Sequence, residues 1–568
     1  MRIAAHRGNR LHAPENTLVS LVSAYTSGAQ VLEFNLQLTG DGRLVISHDP
    51  TTERLSGRPG RILDLDLAEL RKLDMSKTFK PRGADTFSYR PPGRRGIGIE
   101  RFDTLLDNLP TDVECLIELK HDSSMGTGRR DEFVGGALAA LAERQTLDRV
   151  VLYSKDPENL VLARRLAPGV RTALSEGELD EGGQRKLMTD IEADGLFVEV
   201  GSLLRPDGSL SEHGEELERL HRERGMRVGA VVCIRRARGP EAPAAGNVFT
   251  DKEFEVLRQH PFVWSLATDS MLDVAGFVRP SRVIVREPFA GTRVDTDRFS
   301  FGYAKANRYC HVFQEDGVHV KIAGYEGGEA PGADPLGPLE QRLSEIDQKL
   351  WNALRDWPFY SGGGFGLLRA IEGDFAAEVD YTTTRVGQAT TLEMAVVNVN
   401  PGAHQPPWSD DGTPRLPATF RNKNIFFDPH GAPPFVGSEH DEDDGYRITV
   451  NLGSDYDSNS WGRPVGNGKA LSGRLRLERR GTFFSAYFRN DSGPASLPGG
   501  DAAGKGLATD WVCSGVVRNE SLNPRVYLRC AGKRWRQEHD DDPTRFFPVV
   551  PVEFVFANLE VTQFPGPP

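Results

Sequence analysis

Residues 31–50 read Val-Leu-Glu-Phe-Asn-Leu-Gln-Leu-Thr-Gly-Asp-Gly-Arg-Leu-Val-Ile-Ser-His-Asp-Pro. Apolar runs at 31–35 and 44–47 have the length of short strands, and Thr39-Gly40-Asp41-Gly42 between them is a hairpin signal. Further strand-like runs lie at 3–5, 115–119, 150–153, 196–200, 228–232 and 262–267. Amphipathic, helix-like segments fall between them at 16–28, 66–73, 132–144, 156–166 and 215–225. Strand–helix alternation sustained over about 270 residues predicts an α/β barrel of the TIM type, (β/α)8. The hairpin leaves two alternatives: one strand of the pair is extra to the eight, or the barrel is distorted there.

The texture changes near Val283. Short runs alternating apolar and polar, punctuated by Gly, Pro, Asn and Asp, predict an all-β antiparallel sandwich, interrupted by one helix at 339–355. The expected division is a barrel over 1–280 and a sandwich over 281–568. A length of 568 residues accommodates two such domains. With 38% hydrophobic and 26% charged residues, the composition excludes a disordered chain and a coiled-coil rod.

A net charge of -12 argues against binding nucleic acid or an anionic membrane through bulk charge. No window reaches the ~18 apolar residues of a transmembrane segment. Met1-Arg2 runs directly into Ile3-Ala4-Ala5 without the pattern of a signal peptide, so the expected location is cytoplasmic. Five scattered cysteines without CxxC spacing support neither a disulfide framework nor a zinc site.

The chemistry-bearing residues cluster at the ends of the early strands: His6-Arg7-Gly8, Pro14-Glu15-Asn16, Glu33-Phe34-Asn35, Ser47-His48-Asp49 and Glu118-Leu119-Lys120. Residues two apart on a strand share a side, so Glu33 faces with Asn35, and Glu118 with Lys120. Barrel enzymes build their sites where the strands' carboxyl ends converge. Glu33, Asn35 and Glu118 offer oxygen donors only, suiting one divalent metal, Mg²⁺ or Ca²⁺, over zinc. Arg7 and Lys120 match phosphate oxygens. His6 and His48 carry protons near neutral pH. Glu15 and Asn16 serve either as support around this set or as the cap of the helix that follows.

In their order, AHRGNRLHAPENT, GAQVLEFNLQLTGDGRLVISHDP, DLAELRKLD, CLIELK and SLATDS resemble the glycerophosphodiester phosphodiesterase family across the first 275 or so residues. The resemblance implies a TIM-type barrel and metal-dependent cleavage of a small phosphodiester, with His6 and His48 as the acid–base pair. It implies Glu33, Asn35 and Glu118 as metal ligands and Arg7 and Lys120 as phosphate holders. Two departures stand out. The family's Glu-x-Asp is Glu33-x-Asn35 here, and Gly229-Ala230-Val231-Val232-Cys233 lacks the family's tryptophan near the seventh strand.

From about Val285 to Phe564 the chain resembles the concanavalin A-like jelly-roll superfamily. Glu378-Val379-Asp380-Tyr381-Thr382-Thr383 lacks the second glutamate of that superfamily's glycanases, so this domain is expected to be non-catalytic. Most of Trp351, Trp357, Trp408, Trp461, Trp511 and Trp535 suit core or loop packing more than sugar stacking. Glu442-Asp443-Asp444 and Asp455-Tyr456-Asp457 read as solvated acidic loops more than calcium sites. The leading expectation is a phosphodiesterase for a glycerophosphodiester-like or sugar-phosphate diester. The alternatives are a phosphate- and carbohydrate-binding protein with a degenerate barrel site, and a lyase-type enzyme releasing a cyclic phosphate.

Overall fold

The computed structural model describes residues 1–79, 96–120, 122, 124–175, 181–224, 230–234, 251–303, 310–324, 328–329, 361–384, 390–398, 435–441, 445–451, 471–490, 511–534, 538–539, 542–546, 548 and 550–564. The chain divides into two compact units, and the division falls between Arg279 and Pro280. The helix expected at 339–355, both acidic runs, and all the tryptophans named above except Trp511 lie outside the described residues.

The first unit is a closed barrel. Its strands and their companions are β1 (Arg2–Ala5), β2 (Val31–Leu38), β3 (Leu44–Ile46), β4 (Glu100–Arg101), β5 (Glu114–Leu119), β6 (Val150–Ser154), β7 (Arg171–Ser175), β8 (Gly195–Glu199), β9 (Ala230–Ile234) and β10 (Val263–Thr268). Parallel pairing runs β1-β10-β9-β8-β7-β6-β5-β2, and β2 pairs back onto β1, which closes eight strands into a ring. The 44–47 run is therefore extra to the eight: β3 folds antiparallel onto the end of β2, with Leu36 opposite Ile46 and Leu38 opposite Leu44. The true eighth strand is β7, which the apolar pattern missed. Its sequence, Arg-Thr-Ala-Leu-Ser, holds only two apolar residues and gives little hydrophobic signal.

Strand parity separates floor from mouth. Ala4, Val31, Leu116, Val151, Tyr153, Ala173, Phe197 and Ala267 pack together in one buried cluster, with the Tyr153 and Phe197 rings stacked at 5.0 Å. Side chains two residues further along the same strands lie on the same side. His6 thus follows Ala4, Glu33 and Asn35 follow Val31, Glu118 follows Leu116, and Asp269 follows Ala267. The polar mouth rests directly on an apolar floor.

Helix α1 (Leu18–Thr26) fixes the loop after β1. Thr17 caps it by accepting a hydrogen bond at its hydroxyl from the Ser20 amide at 3.1 Å. Leu21, Val22, Ala24 and Tyr25 are its buried apolar face. It ends where Gly28, at φ +108°, turns the chain toward β2.

The second unit holds two large antiparallel sheets. One orders its strands Cys310–Gln314, Val318–Ile322, Val552–Phe564, Asp374–Thr383, Ser472–Arg480, Phe483–Asn490 and Val512–Arg518, with Arg282–Glu287 also paired to Val552–Phe564. The other orders Phe299–Tyr303, Ser361–Leu367, Arg525–Arg534, Thr390–Val397, Phe435–Asp441 and Gly445–Asn451. Aromatic rings join the two sheets: Phe365 meets Phe556 at 6.0 Å, and Tyr446 stacks on Phe488 at 3.8 Å. This is a β-sandwich with one shared core. Trp511 is buried beneath the guanidinium groups of Arg476 and Arg489, a packing position.

Leu116 is fully buried in the barrel floor. Leu116→Ala is expected to destabilise the barrel by about 2–5 kcal/mol, measured by urea denaturation. A loss below about 1 kcal/mol would show that the floor collapses around the deletion.

Candidate functional site

The turn after β1 presents the first two site residues. Arg7 and Gly8 both take left-handed backbone conformations, at φ 56° and φ 80°. A non-glycine residue there carries strain of about 1–3 kcal/mol and needs restraint. The restraint is visible. The Arg7 amide donates to Glu33 Oε2 at 2.6 Å, and the Arg7 carbonyl accepts from the Ser20 hydroxyl at 2.9 Å and the Asn16 amide at 3.1 Å. Gly8 has no substitute, because a Cβ there would lie 2.6 Å from the Ser20 carbonyl carbon.

Each histidine is held by an aspartate. His6 Nδ1 lies 2.7 Å from Asp269 Oδ1, with both side chains buried, and His48 Nδ1 lies 2.6 Å from Asp49 Oδ1. A carboxylate at Nδ1 fixes the proton there and leaves Nε2 as the working nitrogen. Partial burial of the His48 ring is the main influence lowering its pKa to about 4. Arg7 and Lys120 push the same way, against Asp49 and Glu118. His48 is therefore a neutral imidazole at ordinary pH.

Behind the histidines runs a chain of ion pairs. Arg54 grips Glu15 at 2.6 and 3.1 Å and also contacts Asp49, while Arg7 reaches Glu15 at 3.1 Å. Burial alone would raise the pKa of Glu15, but Arg7 and Arg54 hold its carboxyl far below the usual range. Burial opposes the same effect at Asp49, where hydrogen bonds from His48 and Arg54 prevail. Glu15 is thus a support, and capping of α1 belongs to Thr17. Arg7 Nε is buried without an acceptor among the described residues, a donor available to an anion.

The carboxylate pair occupies the centre. Glu33 is fully buried and Glu118 nearly so. Glu33 Oε1 accepts from the Tyr153 hydroxyl at 2.6 Å and from Asn35 Nδ2 at 2.9 Å. Glu118 Oε2 accepts from the same Asn35 nitrogen at 2.8 Å and pairs with Lys120 Nζ at 2.7 Å. Burial and both carboxylates push the Tyr153 phenol pKa well above its ordinary value, so it stays a donor.

The structure brings together His6, Arg7, Glu15, Asn16, Glu33, Asn35, His48, Glu118 and Lys120. It departs from the expected metal trio at Asn35. The carbonyl of Asn35 does not face the carboxylates; it accepts from Asn16 Nδ2 at 2.9 Å. The orientation is forced, because Asn16 Oδ1 is committed to the Asn35 backbone amide at 3.1 Å. A backbone N–H only donates, so Asn16 must turn its NH₂ to the Asn35 side chain, and Asn35 must turn its own NH₂ to the glutamates. Two carboxylates and an amide N–H do not form an oxygen-only cradle for Mg²⁺ or Ca²⁺.

Asp269, Asp49, Arg54 and Tyr153 stand at the site but received no role from the motif reading. Parity carried a signal for two of them: Asp269 lies two past the floor residue Ala267, and Tyr153 two past Val151. In the sandwich, Glu378 is locked to Arg474 at 2.9 Å and to Arg476, and Asp380 reaches Arg474 at 3.3 Å. Burial would raise the Glu378 pKa, but the arginines keep its carboxyl below the usual range. Carboxylates so paired serve the sheet.

Comparison with known proteins gives a family match for the first unit. The family model for the glycerophosphoryl diester phosphodiesterase family matches residues 6–228. The glycerophosphodiester phosphodiesterase of Bacillus altitudinis is 40% identical over 216 residues, covering 36% of this chain and 82% of the relative. The Bacillus subtilis (strain 168) enzyme of the same name is 27% identical over 188 residues, covering 33% of this chain and 61% of that relative. That of Caldanaerobacter subterraneus subsp. tengcongensis is 30% identical over 176 residues, covering 30% of this chain and 65% of the relative. The chain thus spans 61% and 65% of the length of the last two. Among solved structures, an Oleispira antarctica phosphodiesterase in complex with the product sn-glycerol-3-phosphate aligns at 19% identity and a TM-score of 0.35, covering 48% of this chain and 93% of its own. The Agrobacterium tumefaciens glycerophosphodiester phosphodiesterase aligns at 19% identity and a TM-score of 0.35, covering 48% and 97%.

Tyr153→Phe removes a buried hydroxyl bonded to a charged group and is expected to cost about 1.5–3 kcal/mol of stability. Unchanged urea midpoint and slope would show that the phenol does not hold Glu33.

Proposed function

This chain belongs to the glycerophosphodiester phosphodiesterase family, and from that premise we propose that its barrel hydrolyses a small glycerophosphodiester-like or sugar-phosphate diester by acid–base exchange between His48 and His6. The observation that carries the reading is the pair of imidazoles, each anchored through Nδ1 by an aspartate with Nε2 left over, set among Arg7, Lys120 and a buried carboxylate pair. Binding alone would need the cations but not two oriented proton carriers.

The roles follow from the environments. His48, neutral above about pH 4, takes a proton from the attacking water at Nε2 as the new P–O bond forms. His6, held through Nδ1 by the buried Asp269, gives an Nε2 proton to the leaving alcohol as the old P–O bond breaks. Arg7 and Lys120 take up the charge building on the non-bridging phosphate oxygens. Asp269 and Asp49 position the rings. No step is routed through a metal, because the Glu33, Asn35 and Glu118 donor set does not fit one.

The test uses purified protein with glycerophosphocholine and bis(p-nitrophenyl) phosphate. His6→Ala and His48→Ala are each expected to lower the rate by about 10²–10⁴-fold while circular dichroism stays unchanged. Wild-type rates in both variants would overturn the mechanism.

The pH profile is a second check. A base works only when deprotonated, and the lowered pKa keeps His48 deprotonated at every pH above about 4. The acid limb of kcat/KM is therefore expected near pH 4. A limb near 6.5, the ordinary histidine value, would mean that His48 is not the base.

A further inference from the structure

We propose that the Asn35 side-chain amide takes the place of a divalent cation between Glu33 and Glu118, so that this site holds its phosphodiester with protein cations alone. The inference rests on the phosphodiesterase reading for its consequence in turnover, but on geometry for its substance.

One nitrogen, Asn35 Nδ2, donates to Glu33 Oε1 at 2.9 Å and to Glu118 Oε2 at 2.8 Å. It spends both of its hydrogens on the two carboxylates that would otherwise hold a metal. A cation brought between them would face N–H hydrogens instead of a third oxygen. Rotating the amide by a half-turn does not cure this. The rotated Asn35 would oppose its NH₂ to that of Asn16, and a compensating rotation of Asn16 would oppose NH₂ to the Asn35 backbone N–H. Each step loses a buried hydrogen bond and leaves two donors in contact, costs that compound.

The charge pattern agrees. Lys120 Nζ already sits 2.7 Å from Glu118 Oε2, and Tyr153 and the Arg7 amide, both at 2.6 Å, already serve Glu33. With asparagine at 35 the pair is compensated by hydrogen bonds and one ammonium. An aspartate at 35 would bring a third carboxylate to within hydrogen-bond distance of the other two, a cluster that demands a multivalent cation. The single substitution thus separates a cation-requiring site from a self-compensated one.

The experiment is a titration of the full-length protein with Mn²⁺, read by calorimetry and by the loss of free-ion EPR signal. The wild-type protein is expected to show no saturable uptake up to about 1 mM, the weak end of natural oxygen sites. Asn35→Asp is expected to take up one equivalent at least about tenfold more tightly, and Glu118→Gln in that background to abolish the uptake. In parallel, EDTA is expected to leave wild-type turnover unchanged.

Saturable uptake of one Mn²⁺ by the wild type, removed by Glu118→Gln, would overturn the proposal. So would wild-type turnover that disappears in EDTA and returns with Mn²⁺. Should Asn35→Asp fail to fold, the wild-type titration with its Glu118→Gln control decides the matter. A wild type that takes up no Mn²⁺ yet cleaves no diester would sink the phosphodiesterase reading while supporting the amide-bridged pair.

Discussion

Two carboxylates buried side by side must be compensated, and the mouth of the barrel is arranged around that requirement. Glu33 and Glu118 stand on neighbouring parallel strands, in a register that places Asn35 opposite Glu118. An uncompensated buried charge costs several kcal/mol, whereas a hydrogen bond to a charged group returns about 1.5–3 kcal/mol. One donor apiece would not suffice. Glu33 collects three and Glu118 an amide hydrogen and an ammonium. The strained turn at Arg7 becomes intelligible in this light, because its left-handed backbone aims the Arg7 amide at Glu33. The strain and the carboxylate hold each other in place.

The same economy governs the histidines. Asp269 and Asp49 each consume an Nδ1, and Arg54 ties Asp49 to Glu15, which in turn holds Arg7. Moving any member therefore disturbs a histidine ring at the barrel mouth. The sandwich handles buried charge differently. Glu378 is flanked by two arginines, and Glu393 by Arg529 and Lys533 at 3.2 Å each. There opposite charges are matched within the sheets, whereas at the barrel mouth each histidine keeps a ring nitrogen beyond its aspartate.

Much of this was legible in the residues. Strand–helix alternation announced the barrel because each strand buries both faces and reads as an apolar run. The rule failed at β7, whose interior residue is the small Ala173, and it counted β3 because Leu-Val-Ile looks like any barrel strand. His6, Arg7, Glu33, His48, Glu118 and Lys120 were legible because they stand in short motifs at strand ends. Their partners were harder to see. His6 and Asp269 lie 263 positions apart, and Glu33 and Tyr153 lie 120 apart. Only ring closure makes them neighbours. The direction of the Asn35 amide was not legible at all, since composition gives asparagine an oxygen and a nitrogen alike. A backbone N–H on β2 decides between them.

The strand that does not belong to the ring explains how His48 arrives. β2 overshoots the barrel wall, turns at Thr39-Gly40-Asp41-Gly42, and β3 retraces it. The Thr39 hydroxyl fastens the turn to Asp41 at 2.6 Å and accepts the Arg43 amide at 2.8 Å. The return brings the Ser47 amide to the Asn35 carbonyl at 3.0 Å, so the next residue, His48, comes level with the carboxylate layer. A direct βα loop would carry the chain away from the mouth at that height. The hairpin instead returns a second imidazole from outside the ring, where its side chain keeps about a third of its surface open while Arg7 and Lys120 still act on it. One histidine in the wall beside a buried aspartate, and one on a folded-back edge kept neutral chiefly by burial and further by neighbouring cations, is an asymmetry that suits the proposed acid and base.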